Sequence, residues 1–207
     1  MKALRVIERI DRAICRLYAL RREHRARHFV TAGALTGELL VRQKDDELEL
    51  AIQLPAPVLD ALGAPGVVGN PASALGALSV AVEEVSHFRY LVERATRDRG
   101  VSALELEIQG EIDRFAVLYF WMLRDRRFDA GLFRELEARC FGEFRPSRAL
   151  SAVEDSRYRE AHAFAARFVA GLRELADVRH VLERLRAFYR SPLSDKAKFG
   201  TQTKSTR

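Results

Sequence analysis

The residues best suited to chemistry lie in Glu83-Glu84-Val85-Ser86-His87. Carboxylate oxygens and a neutral imidazole nitrogen all offer lone pairs, so at helical spacing they can hold a divalent cation or relay a proton. Glu84 and His87 share the helix face of Val80 and Leu91, so both are expected to point inward. A second acidic row, Glu105, Glu107, Glu111 and Asp113, follows a turn near Arg99-Gly100. In an antiparallel helical pair folded at that turn, His87 stands level with Glu111 and Glu84 level with Arg114 or Phe115. Glu107 lies one turn from Glu111 on the same side. Buried charge is costly unless paired, which leaves two readings. One is a structural network, Glu84 with Arg114 and His87 with Glu111. The other is a site, with Glu84, His87 and Glu111 as candidate catalytic groups and Glu84, His87, Glu107 and Glu111 as candidate ligands of a divalent metal.

Two metal templates match this pattern in part. Ferritin-like carboxylate bundles need two E-x-x-H motifs and a single Glu on each of two further helices. Glu84/His87 supplies one motif; Glu160 and His162 are wrongly spaced for the second, and Asp177-Val178-Arg179-His180 carries the wrong acid. Residues 83–87, as E-E-x-x-H, resemble the E-E-x-x-E of all-α nucleoside triphosphate pyrophosphohydrolases of the MazG type, which implies Mg²⁺ held between two helices. The chain departs from that pattern at His87, a poor ligand for Mg²⁺. It departs again at Gly110, where the Glu of the following E-x-x-D is required. There is no Gly-rich phosphate loop, nucleophile elbow, zinc-finger spacing or dinucleotide fingerprint.

The elements that must position these residues follow from hydrophobic period. Leu4, Ile7, Ile10, Ile14, Leu17 and Tyr18 make one stripe of a helix over 2–27, with Arg5, Arg9, Arg12 and Arg16 on the opposite face. The Arg21–His28 cluster that follows, including Arg22 and Arg25, could touch phosphate or simply end the helix in solvent. Alternation over 29–54 suggests two strands joined at Lys44-Asp45-Asp46. The stretch from Pro55 to Pro71 reads as a short helical turn at Val58–Leu62 and then a loop. Helices are expected over 73–98, 102–126 and 129–141, from a cap at Ser147 to about 176, and over 178–190. Phe115, Tyr119, Phe120 and Trp121 continue an apolar helix and read as core. From Ser191 the composition predicts a frayed basic tail.

The fold class expected is therefore mainly α (α+β): an N-terminal helix and β-hairpin, then a helical bundle built around a long antiparallel helical hairpin. The parts, expected to form one compact domain overall, are 1–70, 71–190 and a flexible basic tail, 191–207. At 207 residues with 48% hydrophobic and 31% charged composition, the chain is of globular type and needs no disulfide or metal to fold. No run approaches the length of a membrane span. Cys15 and Cys140 lack a C-x-x-C partner, which suggests reduced thiols and a cytoplasmic location. The net charge of +6 comes almost wholly from Arg, as only five of the 35 basic residues are Lys. That bias fits a GC-rich genome as well as a polyanion partner. The preferred functional expectation is a non-enzymatic module that binds a protein partner or its own copy. Its alternatives are a metal-dependent hydrolase or oxidase at the Glu/His cluster, and a nucleic-acid binder using Arg5, Arg9, Arg12, Arg16, Arg22 and Arg25.

Overall fold

The computed structural model describes residues 2–33, 35–45, 47–123, 127–142 and 151–201. An N-terminal helix and a small three-stranded sheet precede a mostly helical bundle, so the chain is mainly α with an α+β front. It divides into two compact units, Met1–Arg16 with Leu20–Val101, and Leu17–Ala19 with Ser102–Arg207.

In the first unit, α1 (Lys2–Tyr18) buries Val6, Ile7, Ile10 and Ile14 and leaves Arg5, Arg9, Arg12 and Arg16 exposed. The helix stops at Tyr18, well short of the position 27 expected from its stripe. Ala19 adopts a left-handed conformation (φ 54°), and the Leu20 N–H bonds the Cys15 carbonyl at 2.9 Å. That six-to-one bond caps the last turn and redirects the chain. The following segment is held by polar contacts: Ala26 N–H donates to buried Asp11, and Arg89 donates to both Asp11 and the His24 carbonyl.

The sheet has the order β1-β3-β2, with β1 Val30–Ala32, β2 Glu38–Lys44 and β3 Glu47–Leu54. The expected hairpin is β2–β3, turning at Asp45 with φ 52°. The difference lies upstream. Residues 30–32 do not belong to that hairpin but pair in parallel with β3. Ile52 and Leu54, on one face of β3, are fully buried. After Pro55, α2 spans Ala56–Gly63, and a 3-10 turn over Pro71–Ala74 leads into α3, Leu75–Ala95. Asp98, also left-handed (φ 50°), accompanies the bond from Arg99 N–H to the Arg94 carbonyl that closes α3.

In the second unit, α4 (Ala103–Met122), α5 (Ala130–Phe141), α6 (Ala152–Arg173) and α7 (Val178–Arg190) begin at side-chain caps. Ser102, Asp129, Ser151 and Asp177 each accept a backbone N–H of the first turn. The expected cap Ser147 lies outside the described residues; Ser151, three before Glu154, forms a reciprocal capping box instead. Phe115 and Tyr119 are core as expected, packed on Phe133, while Phe120 and Trp121 are half-buried. The expectation of a frayed tail from Ser191 needs correction. Leu193–Thr201 form α8. Lys196 is 0% exposed, 3.6 Å from Glu105 and 4.6 Å from the Phe188 ring centre. A buried carboxylate and an aromatic face therefore order a segment whose own composition has little to bury. Among the described residues no helix is long and apolar enough to cross a membrane.

Candidate metal centre

On α3, Glu83 and His87 are four apart and so lie about 40° from each other around the axis; Glu84 lies about 60° from His87 on the other side. Glu84 and His87 are buried and Glu83 is half-buried. Val80, two turns before His87, lies on the same face of the helix. Glu84 Oε2 stands 3.7 Å from His87 Nδ1, is itself buried, and makes no hydrogen bond. The backbone at Gly37 lies directly over it: a Cβ there would come within 2.6 Å of Val80 Cγ1 and 3.2 Å of Glu84 Oε1. Gly37 thus lets the chain before β2 close over Glu84.

On α4, four carboxylates are buried, and three of them face a cation within the second unit. Glu105 pairs with Lys196. Glu107 Oε1 is 3.7 Å from Arg157 Nη2, beyond hydrogen-bond distance. Glu111 Oε2 accepts from Arg114 Nη2 at 2.5 Å and lies 3.4 Å from His162 Nδ1, while Arg114 also donates to the Cys140 carbonyl at 2.9 Å. Asp113 is part of a separate polar group. It accepts from Tyr18 and, at 2.9 Å, from Gln109 Nε2, and Tyr18 stacks on Tyr189 at 4.1 Å. Complete burial and the Asp113 charge push the Tyr18 phenol well above its ordinary range.

Glu83 and His87, both in the first unit, each offer one ligand atom, and the two atoms lie within 4.8 Å of one another. Of the sequence candidates, His87 belongs to this pair, and Glu107 lies in the second unit. Glu84 stands behind His87, and Glu111 is engaged by Arg114 and His162. The member not chosen from the sequence is Glu83. Its four-residue spacing from His87 was as good a helical signal as the three-residue spacing of Glu84, and the preference for the inward face hid it.

The candidate polyanion surface is differently built. Arg12 and Arg22 both hydrogen-bond Glu8, at 3.1 and 2.7 Å, and Arg27 lies 3.7 Å from it. Arg25 is exposed, and His28 Nε2 accepts from Arg27 at 3.2 Å. Part of the arginine charge on α1 therefore serves a buried carboxylate of its own helix. No family model, curated protein or solved structure matches this chain.

Proposed function

We propose that this protein is a metal-dependent enzyme, with Glu83 and His87 of α3 as protein ligands of one divalent transition-metal ion. The observation that carries this reading is the approach of one carboxylate and one imidazole to within 4.8 Å on a single face of α3. A nitrogen donor beside oxygen favours Mn, Fe, Co or Zn over Mg or Ca. Coordination positions beyond these two ligands would admit water, which a bound ion acidifies for hydrolysis.

Glu84 has a supporting role in this reading. Its unbonded Oε2 faces His87 Nδ1 at 3.7 Å, and a small approach lets it accept the Nδ1–H and fix the ring with Nε2 directed to the ion. The cytoplasmic location belongs to the same reading: both cysteines are free, and burial pushes each thiol up to about 11, which keeps them protonated.

Elemental analysis of the purified full chain, followed by titration of the chelator-treated protein with Co²⁺ read by its visible absorption, tests this directly. About one ion per chain is expected. Binding should be lost in Glu83→Gln and His87→Ala, kept in Glu111→Gln and weakened in Glu84→Gln. A folded wild-type protein that holds no stoichiometric ion and binds no Co²⁺ would sink the proposal.

A further inference from the structure

The hydrogen bonds of the central strand decide which groups of β2 face outward. Ile52 N–H donates to the Phe29 carbonyl at 2.8 Å, and the Leu54 carbonyl accepts from Gly33 N–H at 3.1 Å. Even-numbered residues of β3 therefore direct their backbone toward β1, and odd-numbered ones toward β2. In the β2–β3 register, Glu38, Leu40, Arg42 and Lys44 oppose Gln53, Ala51, Glu49 and Glu47. Those four β2 residues use their N–H and C=O groups inward. Leu39, Val41 and Gln43 must then direct theirs to the open edge.

Such an edge is a template for another strand unless it is blunted by proline, a bulge or unmatched charge. Among the described residues β2 has no second strand neighbour, and its seven residues contain neither proline nor glycine. Leu40 and Val41 are 42% and 47% exposed, two of the few large hydrophobic residues left in water. Val41 sits opposite Leu50 on the same sheet face as Leu39 and Ile52, so the apolar face that is buried at Ile52 and Leu54 runs out to this edge uncovered.

We infer that β2 pairs antiparallel with β2 of a second copy of this chain, about a two-fold axis through Val41, to give a continuous six-stranded sheet. This register follows from two independent features. Outward-facing residues must form the hydrogen-bonded pairs, and a two-fold at Val41 matches Val41 with Val41 and Leu39 with Gln43, joining only outward-facing groups. The same register sets Glu38 of each copy opposite Lys44 of the other, so the charged ends of the strand attract twice over. Leu40 falls opposite Arg42, whose head is held by its own Glu49 at 2.5 Å and whose stem is free to cover the leucine. Charges that would repel a foreign strand are thus matched by a second copy. The contact is isologous and closes at two copies.

Analytical ultracentrifugation of the full chain should show a concentration-dependent dimer. Val41→Cys should form a disulfide-linked dimer under mild oxidation that the wild type does not form. Hydrogen-bonded antiparallel partners stand about 5.5 Å apart at Cα, inside the range a disulfide spans. Glu38→Lys and Lys44→Glu should each weaken self-association about tenfold or more, because each creates two like-charge pairs. An equimolar mixture of the two variants should regain wild-type association, since the two cations on the strand of one variant then meet the two carboxylates on the strand of the other. That rescue separates the pairing from any effect of either substitution on folding. A wild type that stays monomeric at every accessible concentration overturns the inference. So does a dimer whose affinity ignores both charge reversals or whose Val41→Cys form does not cross-link. None of these readouts depends on a metal ion.

Discussion

Asp11 and Arg89 show how one buried carboxylate organises its surroundings. Arg89 Nη2 donates to Asp11 Oδ2 at 2.8 Å, Arg89 Nε donates to Oδ1, and Arg22 adds a second cation at 3.8 Å. Breaking such a pair from one side leaves an uncompensated charge in low dielectric, so Arg89→Met should cost about 3–5 kcal/mol in urea unfolding. The double change Asp11→Leu/Arg89→Met should recover part of that loss, because the two substitutions act on one interaction. Glu8 carries a different consequence. Burial alone would raise its carboxyl, but the hydrogen bond from Arg12 and the charges of Arg22 and Arg27 outweigh burial and hold it below its ordinary value of 4.5. A carboxyl depressed in the folded state adds stability above its unfolded value and loses it as pH falls through the folded one. Unfolding midpoints followed from neutral pH into acid should therefore fall less steeply for Glu8→Gln than for the wild type.

Helix ends carry the tests that belong to single elements. Ala19 and Asp98 occupy left-handed conformations where glycine is the usual residue. Ala19→Gly should stabilise the protein by up to about 1 kcal/mol in chemical denaturation, the reverse of the effect of glycine inside a helix. Ser151→Ala removes the acceptor of the Glu154 N–H and half of the capping box of α6, at a cost of about 1 kcal/mol. Gly37→Ala forces a methyl group against Val80 Cγ1, a stiff β-branched neighbour. Overpacking of this kind costs about 1–3 kcal/mol. Displacement of Glu84 should accompany it, detectable as weaker Co²⁺ binding in the titration described above. These ends also explain where the sequence was readable. The apolar stripe of α1 and the alternation of β3 are local periods and gave the elements directly. The stop at Tyr18 has no glycine or proline to signal it, since it arises from an alanine held left-handed by the contacts of the segment that follows.

For the molecule as a whole, α8 matters out of proportion to its length. Lys196 answers Glu105, Phe199 packs on Phe188 and Phe168 with ring centres 5.6 and 6.2 Å apart, and Arg184 covers Phe199 at 4.7 Å. Lys196→Ala should destabilise the fold by about 3 kcal/mol or more through the orphaned Glu105. Deleting residues 193–207 should cost more still, since it also exposes the aromatic ring faces of α6 and α7; urea denaturation of the three proteins gives the order. The amino-acid sequence by itself determined the class of the fold, the helical faces, the hairpin turn at Asp45 and the acidic rows on α3 and α4, because each depends on residues within a turn or two of one another. Tertiary structure alone decided which acid meets which partner: Glu105 with Lys196, Glu107 with Arg157, and Glu111 with Arg114 and His162. Helical spacing specifies the direction in which a side chain leaves its own axis. The partner it finds depends on the rotation and offset of elements far away in the chain, which the packing of the whole apolar core sets and no local pattern contains.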